Sequence, residues 1–589
     1  MAKRRLFKFL VVVLGIFFVM GVLGLIGVGM LVMRGPSVPE NSTLILRVGG
    51  ELVELPPNDV LGQVTGGSRA QTVRHYVDTL RRAKSDARIN SVLIIASTFE
   101  SPYWGKIQEL RDAVIDFKSS GKRISAFLEY GGDREYYLAT AADRIYLLPS
   151  SSVDLKGVAT YEVFLKGTLD KVGASADFEK IGDYKTAPNQ LTQTTHTPTH
   201  KEMTEWLTRD MYEQLVRGVA EGRKKSADDV RALMDQGPFL AEQARVAGLV
   251  DSLAYEDQLD DQGAVSRSGT VEGEDYARSR PRFSARNAPR VAVIYISGVI
   301  SSGDGGLDPL NGAIAGSNRL VKAIRAARAD DAVRAIVVRI DSPGGSSIAS
   351  DVIWRELAVT RDEKRDRPLV ASMSDLAASG GYYVAVAAPT IVAQPATLTG
   401  SIGIYGGKFV LGGTYDWMGA NVEATTIGRN AGMLSPDRPF TPTEREELRE
   451  ELRSFYQGFI SKVAAARKLP VERVDQLGQG RVWTGAQARQ HGLVDALGGL
   501  DRAIALAKER AGIAADTEVE LVTYPPRRTL AELLLEQLSG SGDSSMDAMI
   551  SIAGGLRTAE RRALGVLTAP ARLFNPGEPL ALMPMGFLR

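Results

Sequence analysis

Two stretches of this chain can be written over one another without a gap. Residues 136–182 and 382–428 are identical at 16 of 47 positions. Upstream, "AKSDARINSVLIIAS" (83–97) matches "ARADDAVRAIVVRID" (327–341). Downstream, "PFLAEQARVAGLVDSL" (238–253) matches "VWTGAQARQHGLVDAL" (482–497). Three blocks in one order, at offsets between 244 and 246, mark an internal duplication. Each copy must therefore fold as the same supersecondary unit. Short apolar runs such as "VAVIYI" (291–296), "AIVVRI" (335–340) and "LVASM" (369–373) predict buried strands. Helical patterns lie between them, at 318–331 and 349–364. Strand alternating with helix predicts a layered α/β fold in both copies.

The rest of the chain divides around the repeats. Lys3, Arg4, Arg5 and Lys8 precede an uncharged run of 25 residues, Phe9 to Met33. About 20 such residues span a bilayer as helix. The run is too long for a signal-peptide core and lacks a small-residue cleavage site, so it reads as an uncleaved anchor. The basic cluster then stays cytoplasmic and the remainder lies outside. The expected division is 1–40 for tail, anchor and linker, 41–265 and 290–524 for the two units, 266–289 for a polar connection, and 525–589 for an extension. Leu530, Leu533, Leu534 and Leu538 of that extension have helical spacing, which suggests packing at a subunit contact. A net charge of +1 in 589 residues argues against nucleic acid as a partner. The absence of cysteine removes thiolate catalysis, disulfides and Cys-based zinc sites together.

The copies differ where chemistry would sit. In the second, Ser379 lies in "DLAASGGYY" (375–383), between small residues that let a substrate approach its hydroxyl. Its counterpart is Asp133. "DSPGGS" (341–346) has no glycine pair in its counterpart "STFESP" (97–102). In the first copy, Lys185 lies in "IGDYKTAP" (181–188), opposite Ala431. One copy holds a serine and the other a lysine, as if an ancestral site had been divided between them. A serine needs a base. The four histidines, His75, His196, His200 and His491, give poor support for a triad, and the elbow pattern G-x-S-x-G fails at Ala377. A lysine serves if burial keeps it neutral. Tyr184, Thr186, Ala187 and Pro188 would help to wall such a pocket, while Lys180 and Lys201 rank behind Lys185. Gly380, Gly344 and Gly345 are the candidate oxyanion donors, and Ser401, opposite Leu155, is a candidate to orient the lysine. "HTPTH" (196–200) spaces two histidines four apart, but Pro198 between them argues against a shared helix face, and no metal is expected.

These blocks resemble the signal peptide peptidase A family in its long, duplicated, membrane-anchored form. The likeness runs from about residue 41 to 512 and includes the anchor. It implies a serine endopeptidase without cofactor, with Ser379 as nucleophile, Lys185 as general base, Ser401 holding the lysine amine, and Gly380, Gly344 and Gly345 at the oxyanion. It implies two tandem ClpP/crotonase-like units, a homotetramer on the outer face of the bacterial cytoplasmic membrane, and signal-peptide remnants as substrates. Two other readings stand beside it: an acyl-CoA enzyme of crotonase type, and a non-catalytic membrane scaffold.

Overall fold

The computed structural model describes residues 36–55, 72–266, 268–279, 288–308, 312–524, 573–574, 577–584 and 587–588. The proposed anchor and the leucine-spaced stretch at 530–538 lie outside these residues. Among the described residues, no helix is long and apolar enough to cross a membrane.

The first copy contributes strands β1 (Ser42–Gly50), β2 (Ile89–Phe99), β3 (Arg123–Leu128), β4 (Arg144–Leu147), β5 (Ser175–Ile181), β6 (Ser252–Leu253) and β7 (Thr270–Glu272). The second contributes β8 (Arg290–Ser297), β9 (Val299–Ser301), β10 (Val333–Ser342), β11 (Gly344–Ser346), β12 (Leu369–Ala378), β13 (Thr390–Ala393), β14 (Ile404–Val410), β15 (Ala496–Leu497) and β16 (Glu520–Tyr524). A last short strand, β17, is Leu580–Leu582. Four helices matter to the site: α1 (Asp133–Ala139), α2 (Pro198–Arg223), α3 (Gly380–Ala385) and α4 (Pro442–Arg467).

The duplication is visible as topology. One sheet runs β7-β1-β2-β3-β4-β6, the other carries β16-β8-β10-β12-β13-β15, and every pairing along both is parallel. Parallel strands are covered on both faces, which is why they read as unbroken apolar runs. In β8 the period of two is explicit. Val291, Val293 and Tyr295 join one core cluster, and Ala292, Ile294 and Ile296 join another. The predicted helical segments are found at Ser317–Ala329 and Ser347–Glu363. α2 and α4 match in length at 26 residues, each with a threonine cap, proline in the first turn and a left-handed lysine at the end. Pro198 therefore opens α2 instead of breaking a helix, because the first turn needs no N–H from it.

A third sheet crosses between the copies. β5 pairs antiparallel with β14 over seven residues, Ile181 to Ser175 against Ile404 to Val410. This pairing carries the segment after β5 across to the second copy. Beneath it the copies share buried charge. Lys106 bridges Asp341 at 2.6 Å and Asp375 at 2.9 Å. Arg339, 1% exposed, bridges Glu54 at 2.8 Å and Glu109 at 2.6 Å. Burial pushes the Glu54 carboxyl up, but Arg339 outweighs it and holds the group at about 2. Asp341 and Asp375 open the glycine block and the serine block, so Lys106 ties both motifs to the first copy.

Candidate active site

Ser379 sits at the end of β12 and caps α3, with φ 55° and ψ −112°. A non-glycine residue there stores roughly 1–3 kcal/mol of strain. Its N–H donates to Gly400 O at 2.8 Å, and its carbonyl accepts from Tyr383 N–H at 2.8 Å. Both backbone groups are used, so the turn is held and the side chain is presented away from them. The flanking small residues have a steric reason. A Cβ on Gly380 would lie 2.5 Å from Ser350 Oγ, and one on Gly381 would lie 2.8 Å from Ser342 O.

Lys185 reaches this serine from the first copy of the same chain. Four residues past β5, it lies on a bed made by the second copy. A Cβ on Gly480 would be 2.4 Å from Lys185 Cα, and one on Gly403 would be 3.2 Å from Lys185 Cδ. The side chain is fully buried. Its Nζ lies 2.7 Å from Ser379 Oγ, 3.1 Å from Ser401 Oγ and 3.3 Å from Ser401 O. No carboxylate is within ion-pair reach of it among the described residues. Burial alone therefore pushes the amine well below the ordinary lysine range. Lys106 is the internal contrast. It is nearly as buried, yet Asp341 and Asp375 overcome the desolvation and hold it protonated, above the ordinary range.

The sequence expected the pocket walls to come from Tyr184 to Pro188. Thr186 is indeed buried, but the floor is Gly403 and Gly480, and Tyr184 instead lies under the Arg481 guanidinium at 3.8 Å. The lower-ranked lysines point elsewhere. Lys180 donates to Asp183 O, and Lys201 faces Glu205 from an exposed helix surface. Ser401 has φ 49°, and its N–H donates to Arg481 O at 2.7 Å, which turns its hydroxyl toward Lys185.

Gly344 and Gly345 form a strand, β11, rather than a free turn, with φ of 99° and 153° that only glycine adopts readily. β17 lies antiparallel beside it, pairing Leu582, Ala581 and Leu580 with Gly344, Gly345 and Ser346. On its other edge β17 meets β14, Leu580 against Tyr405. Pro579 O accepts from Ser347 N–H, and Met583 N–H donates to Pro343 O. The Ala581 carbonyl oxygen faces the glycines. A Cβ on Gly344 would fall 2.0 Å from it and 2.7 Å from Gly380 N. Nothing in the sequence marked this three-residue strand or the Lys106 and Arg339 pairs beneath the motifs.

The first copy cannot repeat the chemistry. Asp133 starts α1 where Ser379 caps α3, and burial pushes its carboxyl up to about 7. Leu155 is buried at the place of Ser401.

The sequence profile of peptidase family S49 matches residues 116–266 and 361–514. The chain is 36% identical over 474 residues to the chloroplastic serine protease SPPA of Arabidopsis thaliana, covering 79% of this chain and 69% of that one. It is 31% identical over 556 residues to Protease 4 of Salmonella typhi, covering 90% and 88%. It is 28% identical over 517 residues to Protease 4 of Haemophilus influenzae, covering 83% and 82%. These matches set aside the acyl-CoA and scaffold readings. With two S49 units in one α/β chain, the protein belongs to peptidase family S49 and is a serine peptidase.

Proposed function

We propose that the chain is an endopeptidase in which Lys185 is the general base for Ser379. The observation that carries this reading is one amine, fully buried, paired with no acid among the described residues, and 2.7 Å from one hydroxyl. The neutral amine takes the Ser379 proton as Oγ attacks a peptide carbonyl. The backbone N–H groups of Gly380 and Gly345 would stabilise the negative charge that develops; that of Gly344, the third expected donor, already donates to Ser342 Oγ at 3.2 Å. The protonated lysine then returns its proton to the departing amine. A water, deprotonated by the same lysine, releases the acyl group. Ser401 holds the amine in line.

A substrate would lie as a strand between β11 and β14, gaining backbone hydrogen bonds on both edges. β17 already lies in that slot, so it must leave first. The small Ala581 beside the oxyanion glycines argues for small or apolar residues next to the cut. Such segments are found in signal-peptide remnants, the substrates that the resemblance implies. The same resemblance supports the anchor at residues 9–33, a bacterial inner-membrane location facing outward, ClpP/crotonase-like units and a tetramer with four sites. Hydrolysis of a short apolar peptide in detergent tests the chemistry. Ser379→Ala and Lys185→Ala should each lose at least about a thousandfold. Full activity of Ser379→Ala would exclude it as the nucleophile.

A further inference from the structure

Outside the serine pocket, one cluster of side chains has no role in this chemistry. Glu162 Oε2 lies 2.8 Å from His200 Nε2 and 3.7 Å from His196 Nε2. One donor atom from each residue falls within 4.8 Å of the other two. The His200 side chain is fully buried and that of Glu162 is 7% exposed. Among the described residues, Glu162 Oε2, His196 Nε2 and both nitrogens of His200 are buried without a well-directed hydrogen bond, although Glu162 Oε2 and His200 Nε2 are close enough to attract one another. Buried polar atoms are normally paired. Three of these atoms, Glu162 Oε2, His196 Nε2 and His200 Nε2, converge and can share one partner; His200 Nδ1 lies on the far edge of its ring.

We propose that Glu162, His196 and His200 form a site for a divalent transition metal, with Zn²⁺ the ion that their donors suit. Zinc holds nitrogen and carboxylate ligands at about 2.0–2.2 Å, which places tetrahedral donors about 3.3 Å apart. The separations of 2.8 and 3.7 Å bracket that figure, so the ligands need little movement. Two imidazoles and one carboxylate select zinc over magnesium or calcium, which prefer all-oxygen shells. An ion pair between His200 and Glu162 would leave His196 Nε2 unexplained.

The surroundings fit a ligand cage. Glu162 Oε1 accepts from the Thr204 hydroxyl at 3.1 Å, which orients the carboxylate. The Phe164 ring lies edge-on to both imidazoles, with centroids 5.3 and 5.9 Å away, and walls one side. The His196 side chain is 31% exposed, so ions can enter there and water can fill the fourth position. The geometry also has a structural consequence. His200 lies on the first turn of α2, and His196 ends the run that leads out of the Lys185 segment. A bound metal would staple that run to residue 162.

The test uses the full chain in detergent, with any affinity tag removed and metal stripped by chelator. Zn²⁺ is titrated against a chromophoric competitor, and metal is counted after gel filtration. Co²⁺ replaces it for a visible spectrum. The expected results are one Zn²⁺ per chain, tetrahedral Co²⁺ bands, and affinity at least about tenfold weaker in both Glu162→Gln and His196→Gln. His196 is partly exposed, so unchanged unfolding of His196→Gln in chelator shows that its fold is intact. Wild type holding less than about a tenth of an equivalent would overturn the proposal. So would variants that bind as wild type does.

Discussion

Lys185→Met removes the amine and leaves a side chain of similar length. In the folded chain the amine is fully buried and held well below the ordinary lysine range. In the unfolded chain it takes its proton at about 10.4. Between those two values the unfolded state binds one more proton than the folded state. Stability that is fully present above the unfolded value is therefore lost as pH falls toward the folded one. The slope is about 1.4 kcal/mol per pH unit. The methionine variant has no such titration at this position. Its loss of a partner for the Ser379 and Ser401 hydroxyls costs about 1–3 kcal/mol, but equally at every pH. Other titrating groups cancel in the difference between the two proteins. Urea unfolding of both, over the two pH units below the ordinary lysine value, should show the difference changing by about 2.3 kcal/mol, since the unfolded lysine is only half protonated at the top of that range. The wild type gains on the variant as pH rises. A difference that stays flat with pH would mean that the amine is charged in the folded protein, and the general-base argument would fail.

Ser401→Ala should lower kcat about tenfold with KM unchanged, as loss of one orienting hydrogen bond at 3.1 Å predicts; a change confined to KM would contradict this. Arg339→Met strands Glu54 and Glu109 in the interior, and denaturant unfolding should show a loss of about 3–5 kcal/mol. Unchanged stability would show that the two carboxylates find water or protons instead. Ending the chain before Leu573 removes β17 from its slot, and KM for a short apolar peptide should fall at least about tenfold. An unchanged KM would mean that the strand does not compete with substrate.

The sequence made the duplication legible because parallel, doubly covered strands leave long apolar runs that align without gaps. The opposed losses at Ser379 and Lys185 were legible for the same reason: an aligned repeat shows what each copy lacks. The pairing that brings the two together was not. β5 and β14 lie more than two hundred residues apart, and their register depends on tertiary packing that no local pattern records. The buried charges were hidden in the same way, since Arg339 meets Glu54 across 285 residues. In "HTPTH" the proline opens α2, so His196 lies before the helix and the two histidines share no helix face, as their spacing around Pro198 predicts; what no local pattern shows is Glu162, 34 residues before His196. β17 is three apolar residues, too short for any periodicity to show.

The most direct test of the central claim is peptide mapping by mass spectrometry after treatment of the full chain with a fluorophosphonate. A single phosphonylated serine, Ser379, is expected in the wild type. Lys185→Ala should carry at most a trace of that adduct, at unchanged oligomer size. An adduct on another serine, or full labelling of Ser379 without Lys185, would contradict that claim.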